Sequence, residues 1–169
     1  MTVLDSIRSS RGETGIDWAV LVGSVLLCEL AGIVPSILTA DEVATWYPTL
    51  AKPAFTPPSW VFGPVWTTLY LLMGVALYLV WQSDRGRLRR VALGVFGVQL
   101  VLNAAWTMVF FGAQAILGGL VVILALLATI LATMAAFARI DRRAVALLVP
   151  YLLWVGFATA LNAAIWQLN

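Results

Sequence analysis

Aromatic rings and side-chain amides at helical spacing, in strongly apolar surroundings, are the groups in this chain that could do chemistry. Trp66, Tyr70, Met73 and Gly74 fall at i, i+4, i+7 and i+8, which puts them on one face of a helix. Gln99, Asn103, Trp106 and Phe110 follow i, i+4, i+7, i+11 and share a second face, and Trp154, Ala158, Leu161 and Asn162 share a third, with Pro150 one turn earlier. One carboxyl, Glu29, lies in the middle of an apolar run, and the single lysine, Lys52, lies beside Pro53. The chain has no histidine and one cysteine, Cys28. That excludes disulfide frameworks, His or Cys metal clusters and any Ser-His-Asp or Cys-His pair, so no metal site is expected. No acid–base pair supports ordinary turnover, and a haem would find no histidine as axial ligand.

Each group has a structural reading beside the functional one. An uncharged amide in lipid must find a partner, so Gln99 and Asn103 point into a bundle, either to bond neighbouring helices or to line a chamber. Trp154 lies mid-span, where the interfacial belt does not explain it, and it either packs or lines a pocket; Trp18, Trp81 and Trp166 read as belt residues. An intramembrane carboxyl is a functional candidate by default, yet Glu29 could equally be protonated, or bonded to Gln99 or a hydroxyl. Lys52 either meets an anionic ligand group at a pocket mouth or snorkels at the interface.

These residues need helices that cross a membrane. The 169 residues are 62% hydrophobic and only 11% charged, against about 25% charged in soluble domains, and the mean hydropathy is +0.97. The expected fold is an all-α membrane protein, a bundle of five transmembrane helices at roughly 18–39, 58–81, 91–111, 116–137 and 144–168. Each run is long enough to cross a hydrocarbon core of about 30 Å at 1.5 Å per residue. Residues 1–17 form a polar tail, and the 22-residue first run is too long for a signal peptide. Residues 40–57 read as a loop, since Pro53, Pro57 and Pro58 bar an ordinary helix over 48–58. That loop leads without a charge from Lys52 onward into the face of Trp66, as a lid would over a pocket.

Nine of the ten basic residues fall on the side that holds the N-terminus and the second and fourth loops; Lys52 alone falls on the other. The bias places the N-terminus in the cytoplasm, and the 40–57 loop and the C-terminus outside. The arginines at 85–90 read as a topology signal touching lipid headgroups rather than nucleic acid, which is not an expected partner. The sequence LNAAW at 102–106 returns as LNAAIW at 161–166, and both asparagines sit roughly 10 Å below the outer surface by helical rise. Ala128, Ala132 and Ala136 make a small-residue ridge, and Gly94–Gly97 is another close-contact candidate, for a homodimer or for the internal bundle.

WYxxLxKPxxxPPxWxFGPVWTxLYxxMGxA at 46–76, QLxLNxxWxxxFFG at 99–112 and PYLxWxxFAxxLNxxIWxLN at 150–169 resemble the TspO/MBR family, in the right order and over essentially the whole chain from about residue 20. The resemblance implies a five-helix bundle of a prokaryotic cytoplasmic membrane, often a homodimer, that binds porphyrins such as protoporphyrin IX and haem and needs no resident cofactor. It places the pocket on Trp46, Trp66, Asn103, Trp106, Phe110, Trp154, Ala158 and Leu161, to which the residue reading adds Lys52 and Asn162. Trp66 and Trp154 match tryptophans tied in bacterial relatives to light-dependent porphyrin breakdown, a chemistry suited to indole, which stacks on a macrocycle and donates electrons to an excited one. Phe55 stands where many relatives have tryptophan. Ala163 and Gln167 replace the tyrosine and arginine of the animal sterol motif, so sterol binding through it is not expected. Glu29 is outside the family pattern. The functions to weigh are a tetrapyrrole sensor, sequestering protein or translocator, a photoenzyme acting through Trp66 and Trp154, a transporter of small apolar solutes, and a structural protein whose pocket is only packed core.

Overall fold

The computed structural model describes residues 15–169. Helix α1 (Trp18–Leu38) is followed by a short α2 (Ala40–Thr45) and a 3-10 turn (Tyr47–Thr49). Next come α3 (Ser59–Trp81), α4 (Gly86–Thr107) with a π-helical turn (Met108–Gly112), α5 (Ile116–Ala138) and α6 (Arg142–Leu168). There is no strand among the described residues. Five helices are long and apolar enough to cross a membrane. A helix satisfies its own backbone groups, the condition lipid imposes on any spanning segment. Residues 1–14, with Arg8 and Arg11, lie outside the described residues; Arg85 to Arg90 and Arg139 to Arg143 occupy the end opposite Lys52.

The five long helices close into a ring in which α1 packs on α3 and α4, α3 on α6, α6 on α5, and α5 on α4. Between α1 and α3 the approach is backbone to backbone. A Cβ on Gly74 would lie 2.5 Å from the Cα of Val25, and one on Gly32 would overlap the ring of Tyr70. The arginine half of the ring is solidly filled, with Phe96 stacked on Phe137 at 5.7 Å and Met73, Ile123, Ile130 and Leu148 buried. On the α5 ridge Ala128 and Ala132 are exposed, whereas Ala136 is half-buried against this core.

Several boundaries differ from those expected. The 40–57 stretch is not all loop, because six residues after Thr39 carry no proline and form α2. Helix α4 starts at Gly86 rather than near 91: hydropathy marks the span, but arginine is a good helix former and extends it. Arg89 thereby reaches back to donate to the carbonyls of Trp81 (3.1 Å) and Ser83 (3.0 Å), closing the end of α3. Pro64 and Pro150 lie inside helices that continue through them.

Asp141 caps α6: its carboxylate accepts from the amide of Arg143 at 2.8 Å and pairs with the Arg143 guanidinium at 2.9 Å. The guanidinium hydrogen bond holds the Asp141 carboxyl below its ordinary value. A lowered folded pKa stabilises above the unfolded value and is lost as pH falls through the folded one. The native protein is therefore expected to lose up to about 1 kcal/mol, the scale of an exposed pair, between roughly pH 5 and pH 3. Melting curves of Asp141→Asn should lack that component; identical acid sensitivity in both would remove this pair from the account.

Candidate functional site

At the end opposite the arginines the ring is not filled. A cavity of about 930 Å³ lies between α1, α3, the end of α4 and α6, roofed by α2 and the proline segment. That is within the range of small-molecule sites. The roof is held by particular contacts. The Asn169 side-chain amide takes both polar groups of the Ala51 backbone, accepting from its N–H and donating to its C=O, each at 3.0 Å, and donates to Ile165 O at 2.8 Å. Tyr47 stands edge-on to Phe111 at 5.5 Å, and Trp46 edge-on to Phe110 at 5.8 Å. Lys52 Nζ donates to the carbonyls of Leu50 (3.0 Å) and Pro48 (3.2 Å) and lies 4.7 Å over the Tyr47 ring. Burial pushes the Tyr47 phenol pKa up.

The walls are aromatic. Trp66 stacks on Tyr70 at 5.4 Å, and Trp106 stacks on Phe110 at 5.5 Å. Trp154 meets Phe62 edge-on at 5.8 Å. Ala158 leaves room between them, and Leu161 and Asn162 continue the α6 wall. Of the residues singled out in the sequence, Lys52, Trp66, Trp106, Phe110, Trp154, Ala158, Leu161 and Asn162 line this one cavity, and Glu29 joins them. Trp46 and Asn103 do not line it. Trp46 stands behind Phe110, and Asn103 lies deeper, 1% exposed.

The two echoed asparagines do different work. Asn162 accepts from the indole N–H of Trp106 at 3.1 Å and donates to the Ile116 carbonyl at 3.0 Å, which fixes the plane of a wall tryptophan. Asn103 is the centre of a buried relay. The Tyr70 hydroxyl donates to Asn103 Oδ1, Asn103 Nδ2 donates to the Tyr151 hydroxyl at 3.0 Å, and that hydroxyl donates to Gln99 Oε1 at 2.9 Å. Gln99 therefore bonds Tyr151, and no hydrogen bond to Glu29 forms. Gln99 Nε2 and Trp154 Nε1 are buried with no partner among the described residues. Tyr151 and Asn169 escaped the sequence reading. A signal existed for Tyr151, which stands at i−3 and i−7 from Trp154 and Ala158; none existed for Asn169, whose partner is 118 residues away.

Among the described residues no group of three or more His, Cys, Asp or Glu could hold a metal. The site offers flat apolar surfaces, with Lys52 at the mouth and Glu29 on the wall.

The fold and cavity define an integral membrane protein of five helices with a ligand-sized chamber under a proline-rich lid. The chain belongs to the TspO/MBR family, whose pattern matches residues 24–167. It is 45% identical over 149 residues to the tryptophan-rich protein TspO of Archaeoglobus fulgidus, covering 88% of this chain and 96% of that one. It is 40% identical over 154 residues to the human translocator protein, covering 90% and 91%. The tryptophan-rich sensory protein of Cereibacter sphaeroides is 38% identical over 154 residues, covering 91% and 94%.

Proposed function

We propose that this protein is a membrane receptor for a tetrapyrrole such as protoporphyrin IX, which it senses, sequesters or passes on. The observation that carries the reading is the chamber itself, about 930 Å³ walled by stacked tryptophan and phenylalanine rings with Lys52 at its mouth. Aromatic pairs prefer offset faces and edges, and a macrocycle offers a wide face to both. The carboxylates of a porphyrin suit a lysine at the entrance. The residues fit a metal-free porphyrin better than haem, because no histidine is present as an axial ligand. The names of two relatives, translocator protein and tryptophan-rich sensory protein, agree with a role in moving or reporting a ligand. The arginine-rich end is assigned to the cytoplasm, which opens the lid to the outside.

The test is a titration with protoporphyrin IX in detergent, in the dark, read by tryptophan quenching. The native protein should saturate at a defined stoichiometry, and Trp66→Leu with Trp154→Leu should weaken binding at least about tenfold, the loss of two stacking contacts. Equal, unsaturable quenching of both proteins would mean partition into the micelle and would end the reading. Illumination then separates a receptor from a photoenzyme. Loss of the porphyrin spectrum only with native protein would assign Trp66 and Trp154 a chemical role; an unchanged spectrum leaves a receptor.

A further inference from the structure

The polar groups that line the chamber are unequal. Glu29 lines the cavity from α1, nine residues before the helix ends at Leu38, or about 14 Å along the axis from the lid. Two other polar groups that line the cavity are already committed. The Ser36 hydroxyl donates to Gly32 O at 2.8 Å, and the Tyr70 hydroxyl donates to Asn103. Glu29 makes no hydrogen bond and no ion pair with any described residue. Nor is a cation at hand among the described residues. Lys52 is held at the mouth by two carbonyls and the Tyr47 ring, and Arg85 to Arg90 and Arg139 to Arg143 are at the far end of the ring.

A carboxyl within a spanning helix is expensive unless something answers it. We infer that Glu29 is the polar anchor of the chamber wall below the lid, accepting a hydrogen bond from a nitrogen donor, N–H or protonated, carried by the ligand. The inference rests on the ligand reading above and deepens it. The recognised class becomes flat, apolar molecules with a nitrogen donor that a carboxyl on the wall can reach over the ring face, and with anionic groups at the rim nearest Lys52. Lys52 attracts a carboxylate at the mouth, and Glu29 repels one from the interior. The two charges together fix which way an amphipathic macrocycle enters.

Two porphyrins of the same outline separate this from packing. Free-base protoporphyrin IX has two inner N–H groups. Its palladium(II) derivative has none, keeps both propionates, and is square-planar with little tendency to take an axial oxygen. In dark titrations the native protein should prefer the free base by about tenfold, the size of one hydrogen bond to a charged acceptor. Glu29→Leu should bring the ratio to about one by weakening only the free base. Glu29→Gln, which keeps an acceptor oxygen, should retain part of the preference. Leucine suits a spanning helix, so that variant is expected to fold, and its saturable binding of the palladium compound checks this directly. A native ratio near one, or a preference that survives in Glu29→Leu, overturns the inference and leaves the receptor reading standing. Failure of the native protein to saturate with either porphyrin overturns both.

Discussion

Gly74→Leu is expected to lower the melting temperature of the detergent-solubilised protein by about 10 °C or more, with porphyrin binding lost in parallel. A Cβ at this position would lie 2.5 Å from Val25 Cα, 2.8 Å from its Cγ2 and 2.9 Å from its backbone nitrogen. The obstacle is the backbone of α1 itself, so no rotamer change relieves it. Overpacking a fitted core costs about 1–3 kcal/mol, and more where backbone must move; a cost of about 4 kcal/mol at roughly 2–4 °C per kcal/mol for a chain of this size gives about 8–16 °C. Gly74→Ala should show a smaller effect of the same sign. Gly97→Ala and Gly156→Ala are the controls, because nothing lies within 4 Å of either added Cβ. They should be neutral or slightly stabilising through helix propensity. Binding falls with Gly74→Leu because α1 carries Glu29, Gly32 and Ser36 into the cavity wall, and pushing it from α3 opens that wall. Unfolding followed by tryptophan fluorescence gives the answer. A native-like melt for Gly74→Leu would mean that α1 and α3 do not approach this closely.

The spans were legible because the bilayer imposes a length and an apolar composition on each of them, and those properties are local. Helix α4 was read five residues short because its arginines dilute hydropathy while leaving helix propensity intact. The π-helical turn at Met108–Gly112 carries no composition signal at all; it appears in the bond from Ala113 N to Met108 O at 2.8 Å. Helical phase found the inward faces of α3, α4 and α6, since a face is also a local property. It could not tell which end of a face meets a void and which meets a neighbour. Asn103 and Asn162 look alike in sequence, each within LNAA, yet Tyr70 and Tyr151 enclose one while Trp106 and Ile116 O hold the other beside the cavity. Partners 33 to 56 residues apart decided the matter. The lid clamp, spanning Ala51 to Asn169, was beyond reach for the same reason.

The same two asparagines give the second large effect, and they test whether the relay and the chamber wall are separate. Asn103→Leu removes the acceptor of the Tyr70 hydroxyl and the donor to Tyr151, leaving the buried Tyr70 phenol unpaired and Tyr151 bonded to Gln99 alone. Leaving a buried polar group unpaired costs about 1–3 kcal/mol, whereas interhelical hydrogen bonds within membranes average nearer 0.6, so a loss of about 2–4 kcal/mol is expected in total. Tyr151→Phe cuts the relay at the next link, removing its bonds to both Asn103 and Gln99. The two changes break one shared bond, so the double variant should be less destabilised than their sum, by about 1 kcal/mol. Strict additivity would mean that the relay is not a unit. Asn162→Leu should behave in the opposite way. It frees the Trp106 indole that Asn162 now orients, so protoporphyrin IX affinity should fall several-fold while the melt moves less than for Asn103→Leu. The ordering is physical: both side chains are buried, but Asn103 lies away from the cavity whereas Asn162 lines the void the ligand would fill. If both variants lose stability and binding in the same proportion, the relay reaches the chamber through Tyr70, whose hydroxyl bonds Asn103 and whose ring stacks on Trp66.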